Sequence, residues 1–352
     1  MDLVLTHTLD YKFLIEKNIQ LMVYMEKLEI QFSLARTGLM VGLRALGVKP
    51  RHKILVPDFC CDVIYHPLTE LALEIVTYEV KEDLSPNWDQ LNSLDADGIF
   101  GILMIHYFGQ PQDIDKFRSF CQTKEIYLIE DNAHGYGGAY HGRTLGMFGD
   151  IGISSPRKIL KTALGGVLYI HEREYESSLS NSVQRLSFLP NMINFIKFLV
   201  YRCKPIYTHL TFRKLRKYDY SDPYAFAERA QNHTQLSFYE RAFIASAELD
   251  NIAKHRRKLW MDWRDYLTKQ GLTPVFNDLG DSTCPWAIAF YCEDIDQRNF
   301  WIKWGLERRL PLFCWPSLPN DQILKKGVAF KKWQRMLCVA LEDPPPLHNK
   351  DR

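Results

Sequence analysis

The sequence predicts an α/β fold built on a mostly parallel sheet, and two observations lead there. Between residues 31 and 175, short continuous apolar runs alternate with segments whose apolar residues recur at helical spacing. The runs lack strict alternation of apolar and polar residues, which marks strands covered on both faces. Several of the runs end on polar residues, at the strand ends where such sheets bind ligands.

Each element follows from its residues. Residues 1–30 read as an N-terminal helical arm, and residues 37–46 are apolar at helical spacing. Lys53–Pro57 is a short buried strand that its proline stops. Residues 64–73 read as helix and Glu74–Tyr78 as strand. Residues 98–105 form an apolar strand running into His106. Helix over 113–123 leads to a strand over 126–131, and Ile151–Ser154 and Gly166–Ile170 complete the series. His106, Asp131 and Ser154 therefore fall at strand ends. Beyond about residue 230 the pattern is helix, then short strands and helices. The division expected is an arm at 1–30, a large domain over 31–228 and a smaller α+β domain over 229–352.

Composition narrows the function. A chain of 352 residues, 46% hydrophobic, can bury a large core and is long enough for two or three domains. The 44 basic and 42 acidic residues nearly cancel, so no global field favours nucleic acid. The eight cysteines show no C-x-x-C spacing, which argues against a zinc or redox site. They read as reduced thiols in a cytoplasm. The N-terminus has no basic segment ahead of an apolar run, so it does not read as a signal peptide.

One zone departs from the rest. An insertion is expected over about 177–228, and between Glu176 and Asp219 no acidic residue occurs. Arg185, Lys197, Arg202, Lys204, Arg213, Lys214, Arg216 and Lys217 alternate there with Phe, Ile, Leu and Met. The ordinary reading is an insertion packed on its own domain or on a dimer partner. A basic amphipathic stretch over 184–217 also has the composition of a peripheral membrane contact. Its apolar run is too short to span a bilayer.

The candidate chemistry rests on a lysine, an acid and an anion cradle. Lys158 follows Gly152-Ile153-Ser154-Ser155-Pro156-Arg157, and Gly165-Gly166 then lets the chain turn into the next strand. A positive neighbour such as Arg157 lowers the pKa of a lysine and frees its lone pair. Asp131 ends a strand, and His134 lies three residues on. Ala35-Arg36-Thr37-Gly38 opens a helix, where backbone N–H groups and a hydroxyl suit a dianion. Ser155 adds a second hydroxyl. These parts match what pyridoxal 5′-phosphate (PLP) requires: a Schiff-base lysine, an acid for the pyridine nitrogen and a phosphate grip.

The run Ala35-Arg36-Thr37-Gly38, Leu55-Val56-Pro57, Glu130-Asp131-Asn132-Ala133-His134-Gly135, Gly149-Asp150-Ile151-Gly152, Lys158 and Gly165-Gly166 resembles the DegT/DnrJ/EryC1/StrS aminotransferases. The resemblance implies a fold-type I PLP-transferase, with a seven-stranded sheet between helices and a smaller C-terminal α+β domain. It implies a homodimer that moves an amino group, with glutamate as donor, to a nucleotide-linked keto-sugar in surface polysaccharide or glycoside biosynthesis. Lys158, Asp131 and His134 then occupy the catalytic positions. Arg36, Thr37, Gly38 and Ser155 occupy the phosphate site, and Phe59 or Cys61 covers the ring. Residues 236–257 resemble the long helix opening the family's small domain, and Trp315-Pro316-Ser317-Leu318-Pro319 a late motif.

Three positions depart from the family pattern. Ile159 stands where many members have Asn. Asn232-His233-Thr234-Gln235 replaces the Asn-x-Arg that reaches a neighbour's cofactor, and residues 337–344 lack the Pro-Ile-His pattern. They motivate an alternative, a PLP-binding protein of the same fold with a dehydratase-like or regulatory role. Relatives that dehydrate carry histidine in place of the lysine, so Lys158 favours transamination. A nucleotide-binding oxidoreductase lacks support, because no G-x-G-x-x-G fingerprint joins a strand to a helix.

Overall fold

The computed structural model describes residues 28–95, 97–160, 162–170, 188–228 and 234–341. Its main sheet has seven strands: β1 (Leu28–Phe32), β2 (Lys53–Pro57), β3 (Glu74–Tyr78), β4 (Ile99–Ile105), β5 (Tyr127–Asn132), β8 (Ile151–Ser154) and β9 (Gly166–Ile170). The order across it is β1-β9-β8-β5-β4-β2-β3. The pairs from β8 through β3 are all parallel, while β9 runs antiparallel to both its neighbours. A hairpin of two short strands, β6 (Ala139–Tyr140) and β7 (Arg143–Thr144), lies between β5 and β8. The expected fold class is thus the observed one.

Residues 1–27 of the expected arm lie outside the described residues. Its last part, 28–30, is strand and not helix: β1 pairs with β9, with Leu28 opposite Ile170 and Phe32 opposite Gly166. Leu-Glu-Ile-Gln-Phe alternates with period two, and that local pattern outweighs the helical reading of the segment before it.

The helices cover the sheet. They are α1 (Ala35–Ala45), α2 (Tyr65–Glu70), α3 (Trp88–Ser93), α4 (Ile114–Lys124) and α5 (Pro156–Leu160). The turn from β1 into α1 passes directly against β9. A Cβ on Gly166 would meet the Leu34 carbonyl carbon at 2.2 Å, so only glycine lets these two segments touch. That contact sets the start of α1 beside the chain that follows β8.

A second, antiparallel sheet of order β10-β11-β13-β12 comprises Thr273–Pro274, Ala287–Tyr291, Met336–Ala340 and Leu312–Cys314. Its alternation places it physically. Ile288, Phe290, Leu337 and Val339 bury one face under Trp260, Trp263 and Leu267 of α9 (Leu249–Lys269) and Ile302 and Leu306 of α10 (Ile295–Glu307). Ala287, Ala289, Met336 and Cys338 face the other way, into the core of the main sheet. Burying both faces locks the smaller sheet onto the larger one, at roughly 25 cal/mol for each Å² of apolar surface removed from water.

The helix expected over 236–257 is two helices, α8 (Phe238–Ala245) and α9, separated at Ser246–Glu248. Before them, α6 (Phe188–Arg202) and α7 (Lys204–Leu215) form a helical hairpin. The remaining helices are α11 (Asn320–Lys325) and α12 (Val328–Arg335). No described helix is long and apolar enough to cross a membrane. Among the described residues no cluster of His, Cys, Asp or Glu suits a metal ion.

Candidate active site

Strand register builds the floor of a cavity. Asp131 on β5 lies opposite Ile105 on β4 and Ile153 on β8. These three neighbours line a cavity of about 70 Å³ together with Ala35, Arg36, Cys61, His134, Ser155, Arg157, Lys158 and Trp315. A second cavity of about 320 Å³ adjoins it, sharing Cys61, Val63, Arg157 and Lys158 and adding Glu228, Arg256 and Trp286. Both lie at the carboxyl ends of parallel strands, where an open α/β sheet leaves space between diverging loops.

Lys158 sits in the short helix α5, just past the end of β8. Its backbone N–H donates to the Ser155 carbonyl at 3.0 Å. Its amine lies 4.7 Å from the centroid of the Trp286 indole. Burial lowers its pKa below the ordinary lysine value. Cys61, Asp131 and Glu228 draw it back up, and Arg157 pushes it further down. Asp131 responds oppositely: burial raises its carboxyl, while the Ala133 N–H, at 2.8 Å from Oδ1, and Lys158 restrain the rise.

An aromatic wall faces this pair. The His134 ring lies 4.6 Å from Trp286 and 5.7 Å from Trp315, centroid to centroid. Its Nδ1 accepts the Phe108 N–H at 3.2 Å. Burial, and then the charge of Lys158, hold His134 well below the usual histidine range. A neutral ring that accepts at Nδ1 carries its proton on Nε2. The bond to Phe108 depends on an unusual turn after β4. Phe108 adopts φ 56° and Gly109 φ 88°, and a Cβ on Gly109 would meet the His134 carbonyl oxygen at 2.7 Å. A non-glycine residue in left-handed backbone costs on the order of 1–2 kcal/mol, here spent beside the cavity.

Behind the floor, Glu130 is fully buried. It accepts from His106 Nε2 at 2.9 Å and from the N–H groups of Gly146, Phe148 and Gly149 at 2.6, 2.6 and 3.0 Å. Burial alone would raise its carboxyl, but His106 and these amides hold it below the ordinary value. His106 Nδ1 in turn accepts the Gln112 N–H at 3.1 Å. The strand ends are therefore fixed from behind, and His106 serves that network and not the cavity.

The opposite wall is cationic. The N-terminus of α1 has no side-chain cap and no acidic residue in its first turn, so its positive end faces the cavity through Ala35 and Arg36. Arg36, only 8% exposed, pairs with Glu228 at 2.6 Å. Burial would raise Glu228, but Arg36, with Arg157 and Lys158 behind it, holds it below its ordinary value.

The structure brings Arg36, Cys61, Asp131, His134, Ser155 and Lys158 onto the cavity. It does not bring Thr37, Gly38 or Phe59 there. Thr37 is buried, and Gly38 packs on β9, where an added Cβ would lie 3.3 Å from Leu168 Cβ. The helix thus turns Arg36, not Thr37, toward the opening. Phe59 lies in the core, 4.8 Å from Trp315, so Cys61 holds the cavity position. Asn232 and His233 lie outside the described residues. Gln235 bridges to Phe32 of its own chain. Trp286 and Glu228 had no signal in the sequence. Each arrives from a distant segment, and neither belongs to a recognisable motif.

Residues 16–183 match the model of the DegT/DnrJ/EryC1/StrS aminotransferase family. The chain is 26% identical over 154 residues to the dTDP-4-dehydro-2,3,6-trideoxy-D-glucose 4-aminotransferase of Saccharopolyspora spinosa, covering 43% of this chain and 39% of that protein. It is 27% identical over 122 residues to the GDP-4-keto-6-deoxy-D-mannose 3-dehydratase of Yersinia pseudotuberculosis, covering 33% and 31%. These matches thus span less than two fifths of either relative's length. Spr1654 from Streptococcus pneumoniae in its PMP-form shares the fold, with a TM-score of 0.65 at 14% identity over 89% of this chain and 82% of that one. The resemblance carried by the motif is borne out as a similarity: over residues 16–183 this chain matches the DegT/DnrJ/EryC1/StrS aminotransferase family.

Proposed function

We propose that the protein is a PLP-dependent aminotransferase that moves an amino group from glutamate to a keto-sugar carried on a nucleotide. One observation carries the reading: Lys158, Asp131 and His134 line a single cavity at the ends of parallel strands. The donor set suits the cofactor. It offers an amine of lowered pKa, a buried carboxylate, and a cationic wall of Arg36, Arg157 and an uncapped helix start for a phosphate. When bound, the cofactor supplies an electron sink for the substrate's α-carbon.

The residues do the rest. Lys158 Nζ is the nucleophile that holds the cofactor aldehyde, because burial makes its neutral form accessible. Once released, the same Nζ is the base that takes a proton and the acid that returns it. Asp131 holds a proton on the pyridine nitrogen through a charge-assisted bond. His134, with Nε2 as donor, orients the ring's polar edge. Cys61 lines the cavity where an aromatic is expected, and the indole of Trp286 beside Lys158 would supply apolar surface to the bound cofactor. The free cysteines support a cytoplasmic enzyme.

The retained lysine favours transamination over the dehydratase reading. The test is an absorbance titration with pyridoxal phosphate, followed by glutamate and a panel of nucleotide-linked keto-sugars. The expected result is a visible band at roughly 410–430 nm that glutamate bleaches and a keto-sugar restores. Lys158→Ala should abolish both the band and the turnover. A Lys158→Ala protein with full aminotransferase activity would overturn the assignment, and cofactor binding without any amino transfer would favour the alternative.

A further inference from the structure

The hairpin of α6 and α7 carries a surface that the proposed chemistry does not use. On α6, Leu189, Met192, Ile193, Ile196 and Leu199 recur at i, i+3, i+4, i+7 and i+10, so they share one face. That face is in solvent: Leu189 is 63% exposed, Ile196 57% and Leu199 50%. The other side of α6 is already occupied, because Phe198 packs on Tyr239 and Phe243 of α8. On α7, exposed Ile206 and Leu210 lead along the same stripe to Lys214 and Lys217. More than half of the large apolar side chains exposed among the described residues lie on this hairpin. A patch of this kind on a folded protein marks an interaction surface.

Charge decides what covers it. Residues 177–218 contain no acidic side chain, while Lys197, Arg213, Lys214 and Lys217 are exposed. A second copy meeting this face by two-fold symmetry would set the same cations against themselves. A partner that is apolar inside and anionic at its surface satisfies both halves of the patch. We propose that the α6–α7 hairpin docks on an anionic lipid bilayer, with the Leu189–Leu199 face among the acyl chains and the lysines at the headgroups. The elbow of the hairpin carries Tyr201 and Tyr207, whose rings lie 4.9 Å apart, tilted at 41°, and line the second cavity. The proposal does not depend on the cofactor assignment.

Co-sedimentation of the full chain with phosphatidylglycerol-rich and with pure phosphatidylcholine vesicles tests it. Binding is expected to the first, weakened by salt, and not to the second. Lys214→Gln with Lys217→Gln should lower partitioning about fivefold for each charge removed. Ile193→Glu with Ile196→Glu, at exposed positions that leave the fold intact, should abolish it without changing the oligomer seen by light scattering. A wild-type protein that stays in the supernatant with anionic vesicles overturns the proposal. So does an Ile193→Glu, Ile196→Glu protein that loses an oligomer of the wild type, since the face is then an interface between copies.

Discussion

The Lys158 amine stands 4.7 Å from the centroid of the Trp286 indole, and the same indole lies 4.6 Å from His134. One aromatic side chain from the loop entering β11 of the smaller sheet thus lies against two of the three candidate catalytic groups beside the larger one. Trp286→Leu keeps apolar volume but removes the ring face. It should weaken pyridoxal phosphate binding by about 1 kcal/mol, roughly fivefold in Kd, in an absorbance titration. An unchanged Kd would remove Trp286 from the site.

The buried Glu130 makes a second prediction. Glu130→Gln sets an NH₂ among the His106, Gly146, Phe148 and Gly149 donors, and should cost about 3 kcal/mol of stability in urea unfolding. The folded carboxyl lies below its ordinary value of 4.5. Its contribution is therefore full above pH 4.5 and lost as pH falls through the folded value. The difference between variant and wild type should shrink on acidification over that window.

Lys158 costs stability where Glu130 contributes it, although the pH slope has the same sign. Burial first, with Arg157 adding, sets the folded amine below its ordinary 10.5. Between the folded value and 10.5 the unfolded chain binds more protons, so stability of the cofactor-free protein rises with pH there. Lys158→Met removes a buried charge and should stabilise the cofactor-free protein at neutral pH by about 1 kcal/mol. That gain should narrow as pH climbs toward 10.5. Thermal melts across pH measure both effects, and a variant less stable than wild type at neutral pH would refute the sign.

Arg36 and Glu228 define the anion wall. Their 2.6 Å pair must loosen for Arg36 to grip a phosphate. Glu228→Gln should tighten binding of inorganic phosphate about tenfold, and Arg36→Met should weaken it about tenfold, the scale of one charge-assisted hydrogen bond. Calorimetric titration reads both. Equal affinities in all three proteins would place the phosphate elsewhere.

Much of this was legible in the residues. Lys53–Pro57, Glu74–Tyr78 and Gly166–Ile170 form strands at the bounds their apolar runs predict. Asp131, His134 and Lys158 stand where strand ends and motif placed them, because local pattern fixes which end of a parallel strand a residue occupies. Within Ala35–Gly38, only Ala35 and Arg36 line the cavity. Helix phase, and not residue chemistry, decides that Arg36 faces the cavity while Thr37 faces the core. Likewise Phe59 packs in the core against Trp315 while Cys61 lines the cavity, because the chain leaves β2 in an irregular turn that no strand period describes.

By itself the sequence determined the parallel sheet, the lysine at its edge and the acid at a neighbouring strand end, all properties of short stretches with a strong period or motif. Only the tertiary structure decided that Trp286 lies under the lysine, that Glu228 neutralises Arg36, and that the apolar stripe of α6 stays in solvent. Each of those pairs segments far apart in the chain, or leaves one unpaired. Such contacts come from how two sheets bury a shared face, which no local pattern encodes.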